Sequence, residues 1–393
     1  MALDPISRAT RITMALYWLQ PMIIGGWLAL IPHIKETLEL SKADLAIALL
    51  GAPLALLLAL QVAGPMVARF GPRRVMMVGF VLQGLAANLP LLATSQMSLF
   101  GALMVFGAAI AVMEVGLNVY AGRVERRAGV TIMSRCHGFW SLGLMTGSFL
   151  VAQSGLALIT AQGVIALFSS VVGIFVARTA IRFPGEAEDK APPRRSWRAI
   201  PVPLLPIGLF MFAFTITEGA MADWAAVHLS EITPEAGIEP GLAVTIFAGA
   251  MACGRFVGDA LNRWLGPVGL ARASAVVSAL GLLLLIVPLP LVFVFVGFAL
   301  TGLGVAAGYP LGISAVAAID ETYEASNIAI ISTAALCGFL AGPPLIGFLA
   351  EAFSLRIGFA AVLPFLVACL WLAVWVRPNR PESGIESATR SQS

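Results

Sequence analysis

Six charged side chains fall inside the long apolar stretches of this 393-residue chain: Asp44, Glu114, Glu218, Asp223, Arg255 and Asp259. A charge held in hydrocarbon costs upward of about 2.5 kcal/mol, so an ionisable group there is by default a candidate for moving protons, ions or polar solutes. Position separates the six. Asp44 opens its stretch, and Arg255 and Asp259 fall in the last turns of theirs, within reach of water and headgroups. Glu114 lies nine residues before Arg123, about 13 Å along a helix. Glu218 lies about 22 Å from the start of its stretch at Pro203. Both are expected near mid-bilayer and are the candidate proton-coupling residues, since a carboxyl that meets each compartment in turn can load and release a proton.

Glu114 and Asn118 are spaced i, i+4, so one helix face presents a carboxyl and an amide together. The structural alternative is a hydrogen-bonded pair between helices. Glu218 and Asp223 are five apart, about 140° around a helix, and cannot both face one pocket squarely. Asp223 and Trp224 are expected nearer the outer interface, where tryptophans anchor. Tyr17 and Gln20 precede Pro21 and Gly25-Gly26, and Tyr309 is set among Gly302, Gly304, Gly308 and Pro310. Such interruptions at matching positions of two halves mark a substrate site, although small residues also permit plain close packing. Tyr17, Gln20, Asn118, Asp223, Trp224 and Tyr309 are therefore the candidate solute-binding residues.

Arg255, Asp259 and Arg263 share one helical face at i, i+4 and i+8, which suits either a latch or a solvated ion-pair row of little energy. With His137, Arg69 and Arg73 they form the candidate gating set. A histidine can titrate during a transport cycle, or merely satisfy a neighbouring carbonyl. No Lys or Arg is expected near mid-bilayer, so an organic anion or phosphate ester would find no fixed counter-charge. A neutral sugar or polyol, or a weakly cationic compound, fits better.

The elements that must hold these residues follow from composition. The chain is 59% hydrophobic and 11% charged, with a mean hydropathy of +0.92, against about 45–50% and about 25% in soluble domains. A water-soluble globule is excluded. A bilayer core needs about 20 apolar residues per helical span, and twelve such spans are expected at 12–34, 43–67, 75–95, 98–120, 136–158, 160–177, 203–229, 241–262, 273–289, 290–317, 327–350 and 357–376. The first is long, lacks a small-residue cleavage site and reads as a retained helix. A net charge of +3, spread in short clusters, leaves no extended surface for nucleic acid. Cys136, Cys253, Cys337 and Cys369 lack metal or disulfide spacing and read as buried hydrophobes. No cofactor or metal is expected, and no nucleophile–base set points to an enzyme.

If both termini are cytoplasmic, 21 of the 24 basic residues fall on that side, against Lys35, Lys42 and Arg356. Such a bias orients multi-pass proteins and supports an even number of spans. The longest break, PGEAEDKAPPRRSWRAIPV, is charged and Pro-rich, so the expected organisation is a six-helix bundle over 1–183, a linker over 184–202, a second bundle over 203–377 and a tail over 378–393. The halves echo each other. Gly64, Arg69, Phe70, Gly71 and Pro72 correspond to Gly258, Arg263, Trp264, Gly266 and Pro267; Gly107 corresponds to Gly302, and Gly143 and Gly147 to Gly338 and Gly342. Agreement of one offset at three places argues for a duplicated unit.

Twelve spans in two halves, a basic linker and the segment GPMVARFGPRR resemble the major facilitator superfamily of secondary transporters. The sequence departs from the family's loop signature at Ala68, where that signature has an acid. More narrowly, MEVGLN, SRCHGFWSLG, EGAMADW and GPPLIGFLAE are similar to a bacterial branch related to fucose and other sugar permeases. The resemblance implies an all-α membrane protein of two pseudo-symmetric six-helix bundles in the bacterial inner membrane. It implies alternating access, with a small-molecule substrate, protons and the lipid bilayer as partners, acting as a monomer. The leading expectation is proton-coupled transport of a small polar solute. The alternative is proton-driven efflux of drugs or metabolites, disfavoured by the lack of a Gly-Pro pair in GLMTGSFL of span five.

Overall fold

The computed structural model describes residues 4–129, 132–181, 200–317, 319 and 323–377, and among these it contains helices and no strand. The expected linker lies almost wholly, and the tail wholly, outside the described residues. The helices are α1 (Pro5–Thr37), α2 (Lys42–Leu49), α3 (Gly51–Phe70), α4 (Pro72–Ala86), α5 (Gln96–Ala128), α6 (Met133–Gln153) and α7 (Leu158–Arg178). After the break follow α8 (Leu204–Ile232), α9 (Gly241–Ile286), α10 (Leu291–Val305), α11 (Gly308–Ala317), α12 (Glu324–Ala352), α13 (Leu355–Ala360) and α14 (Leu363–Leu372).

Local chemistry explains several boundaries. Asp44 is not a charge adrift in hydrocarbon: Ser41 caps α2, accepting from the Asp44 N–H at 3.0 Å while its hydroxyl donates to Asp44 Oδ2 at 2.7 Å. Ser95 and Ser98 form a reciprocal capping box at the start of α5. Ten segments among the described residues are long and apolar enough to cross a membrane, against the twelve expected. The difference lies in two places. Helix α6, 21 residues long and interrupted by Ser134, Arg135, His137, Ser141, Thr146, Ser148 and Gln153, is not among the ten, and α9 takes in two of the expected spans, joined at a non-helical corner at Gly266.

That corner displays the internal repeat. Gly71 (φ 77°) precedes Pro72 between α3 and α4, and Gly266 (φ 69°) precedes Pro267 within α9. A left-handed φ is open to glycine at little cost, and proline then restarts the helix with its φ already set. The same relation governs packing. A Cβ on Gly107 of α5 would strike the Ala52 carbonyl of α3, and one on Gly302 of α10 would strike the Phe247 carbonyl of α9. Ala52 and Phe247 stand at the same separation as Gly107 and Gly302. Likewise α1 packs on α6 as α8 packs on α12, through Gly143 and Gly147 in one case and Gly338 in the other.

Across the central break, α6 lies along α9 and α2 along α12. The α6–α9 seam runs from Ala152 against Gly241, through the Ser148–Thr245 hydroxyl pair at 2.9 Å, to Phe139 edge-on to Phe256. At the α2 end, Lys42 pairs with Glu231 at 3.1 Å and its backbone N–H donates to Glu351 at 2.8 Å. Toward the other end α12 leaves α3, where Val62 is 59% exposed and a Cβ on Gly64 would meet nothing within 4 Å. Large apolar side chains such as Leu85, Phe175, Leu205 and Trp371 face outward, as a lipid-bathed surface requires. Of the cysteines, Cys136 and Cys369 are buried as expected, whereas Cys253 and Cys337 are exposed.

Candidate functional site

Where helices of the two halves meet, they leave two adjoining hollows that share Glu114, Trp140, Glu218, Leu336 and Phe339. The first, about 180 Å³, gathers most of the polar side chains. Tyr17 and Gln20 come from α1, Asn118 from α5, His137 from α6, Arg255 from α9 and Tyr309 from α11. The second, about 260 Å³, lies toward the Lys42 end and is walled by Trp27, Phe106, Leu144, Phe247 and Met251, with Asp223 in its lining. Asn118, one turn beyond Glu114 toward the arginine-rich end, is exposed and lines the first hollow.

Helix geometry explains why α8 contributes two acids. The expectation that Glu218 and Asp223 diverge by their angular offset does not hold for a cavity this wide, and both line the same hollow. Trp224, the next residue, turns the other way. It is fully buried near Gly347 and Ala46, lines neither hollow and is no interfacial anchor, because α8 is enclosed on nearly every side.

The strongest electrostatic feature overturns an expectation. Arg255 reaches inward from α9 and its Nη2 meets Glu218 Oε1 at 3.2 Å and Oε2 at 3.4 Å. Its Nη1 donates to Ser141 Oγ at 2.6 Å and to the His137 carbonyl at 3.4 Å, and the guanidinium lies 5.8 Å from the Trp140 ring centre. The cavity therefore holds a fixed cation, although no basic residue occupies a mid-span position in the sequence. The long arginine stem carries its charge well away from its own Cα. The row of Arg255, Asp259 and Arg263 consequently does not form: Asp259 and Arg263 stay exposed while Arg255 is buried against Glu218.

Glu114 differs from Glu218. Among the described residues neither Glu114 nor Asp223 makes a hydrogen bond or ion pair. The expected Glu114–Asn118 face exists, but Asn118 spends its oxygen on the Tyr17 hydroxyl. His137 stacks between two tyrosines, edge-on to Tyr17 at 5.9 Å and tilted to Tyr309 at 6.0 Å, and the Tyr309 hydroxyl lies 3.4 Å from Ser332. The Nε2 of Gln20 donates to Gln83 Oε1 at 3.4 Å, while its Oε1 has no partner among the described residues. Arg69 and Arg73 touch neither hollow; Arg69 lies over Phe70 at 5.3 Å, and Arg73 lines a separate cleft with Arg74 and Arg123. Sequence reasoning missed Phe339 and Leu336 as wall residues, and nothing in their apolar surroundings distinguishes them.

The sequence profile of the Major Facilitator Superfamily matches residues 13–232 and 207–392. The chain belongs to that superfamily. It is 29% identical over 353 residues to an uncharacterized MFS-type transporter of Yersinia pestis, covering 88% of this chain and 89% of that one. It is 30% identical over 377 residues to an uncharacterized transporter of Sinorhizobium fredii, covering 90% and 95%. Among solved structures, a variant of the nucleoside transporter NupG superposes with a TM-score of 0.75 at 14% identity, covering 94% of this chain and 99% of that one. A bacterial homologue of the lysosomal transporter Spinster, inward-facing and unoccupied, gives 0.67 at 15% identity, covering 96% and 98%. These structural likenesses concern the fold. This superfamily member is thus a multi-pass membrane transporter and not an enzyme.

Proposed function

We propose that this transporter is proton-coupled and carries a small polar solute, sugar- or polyol-like or weakly cationic, through the two-chambered cavity by alternating access. Two six-helix bundles, 1–183 and 203–377, rock about the site as a monomer in the bacterial inner membrane, with both termini cytoplasmic. The observation that carries this reading is Glu114. It is a carboxyl at the junction of both hollows, inside a membrane-spanning helix and without a counter-charge. Such a group can hold a proton or a solute, and water can reach it only from the side on which the cavity is open.

Glu218 plays the second part. Its pairing with Arg255 and, through Arg255, with Ser141 and the His137 carbonyl ties α8 and α9 to α6 across the two halves. Protonation of Glu218, or competition by a solute, would weaken that tie and free the halves to move. Tyr17, Asn118, His137 and Tyr309 supply the hydroxyl, amide and imidazole groups that orient a polar solute. A second reading, proton-driven efflux of drugs or metabolites, is favoured by the aromatic walls of the larger hollow.

The test uses proteoliposomes with an imposed proton gradient and a panel of sugars, polyols and organic cations. At least one solute should drive, or be driven by, proton movement, and Glu114→Gln should abolish the coupling. Unchanged coupling in Glu114→Gln and Glu218→Gln would overturn the proposal.

A further inference from the structure

Of the two hollows, the larger has walls that discriminate between classes of solute. Apart from the carboxyls of Glu114, Glu218 and Asp223, its lining offers only two indoles and one thioether as polar side-chain atoms. A polyol placed there would leave most of its hydroxyls without partners, and an unpaired buried polar group carries its full desolvation cost. An anion would meet three carboxyls opposed by one guanidinium that Glu218 already engages. Two carboxyls, Glu114 and Asp223, have no partner among the described residues. The faces available for contact are those of Trp27, Phe106, Trp140, Phe247 and Phe339. Aromatic faces together with unpaired carboxylates are what a desolvated ammonium requires.

We propose that the solute is a monovalent ammonium bearing an apolar body about the size of one aromatic ring, its charge held between Glu114 and Asp223 and its body seated against Trp27, Phe106 and Phe247. This rests on the cavity being the transport site and names the class of solute it takes. Proton and ammonium then compete for the same Glu114 carboxylate, so the two move in opposite directions.

The experiment measures binding to the full chain in lipid nanodiscs by quenching of tryptophan fluorescence, with proton flux recorded in parallel in proteoliposomes. The probes are benzyltrimethylammonium, tetramethylammonium and sorbitol. Benzyltrimethylammonium should bind saturably and displace protons. Tetramethylammonium, which keeps the charge and lacks the ring, should bind roughly a hundredfold more weakly. Sorbitol should not bind. Asp223→Asn should weaken benzyltrimethylammonium roughly thirtyfold, the usual effect of removing one partner of a buried charge contact. Glu114→Gln provides a second variant if Asp223→Asn does not fold, and the wild-type comparison of the two cations needs neither.

Equal binding of benzyltrimethylammonium by wild type and by both variants would overturn the inference, because the cation would then sit elsewhere. Sorbitol-driven proton flux without cation binding would overturn it too, while leaving proton-coupled transport standing. Proton coupling unaffected by Glu114→Gln would instead count against the transport reading itself.

Discussion

In the first half Gly107 lets α5 close on the Ala52 carbonyl of α3, and in the second Gly302 lets α10 close on the Phe247 carbonyl of α9. Gly71 and Gly266 turn the chain at equivalent corners. The charges follow no such rule. At the offset that relates these glycines, Glu114 of the first half corresponds to Tyr309 of the second. The second half places its deep acid on α8 instead, and clamps it with Arg255. Duplication thus preserves what brings backbones together, since close packing tolerates few alternatives, whereas cavity-lining side chains diverge freely because they touch space or solute.

The contrast between the clamped and the free carboxyl can be broken by removing the clamp. Arg255→Ala leaves the Glu218 carboxylate buried without its cation, and should destabilise the folded protein by about 3–5 kcal/mol. Adding Glu218→Gln should recover most of that loss. Thermal unfolding of the detergent-solubilised single and double variants measures both, and a single variant that melts like wild type would show that the pair is not what holds α8 to α9. The equivalence of the halves is sharpened by Gly107→Leu and Gly302→Leu. Each drives a side chain into a backbone carbonyl and should cost about 1–3 kcal/mol or more. The two losses should be alike, so a large effect in one half only would break the correspondence. The smallest effect is expected at the free acid: Glu114→Gln removes no pairing and should change stability by under about 1 kcal/mol. A melting shift as large as that of Arg255→Ala would reveal a structural partner for Glu114.

Much of the frame was legible in the chain. Gly71, Gly266, Gly107, Gly302, Gly143 and Gly338 reported the repeat because each glycine marks a backbone requirement local enough to appear as one letter. The acids at mid-span were legible for the same reason, since a carboxyl in an apolar stretch stands out against its neighbours. What misled was depth inferred from position along the axis. Arg255 belongs to the cavity although its Cα lies toward the mouth, Trp224 is buried although it follows a cavity acid, and Gln20 gives its Nε2 to Gln83.

Hydrophobicity and glycine spacing alone determined a helical membrane protein of two related halves with acids in its interior. Those are properties of single residues and of short-range periodicity. The pairing of Glu218 with Arg255, the solitude of Glu114 and Asp223, and the division of the cavity into a chamber that gathers most of the polar side chains and an aromatic one were decided only by tertiary structure. Each depends on side-chain reach between helices far apart in sequence, and no spacing along one helix encodes where a neighbour's side chain will end.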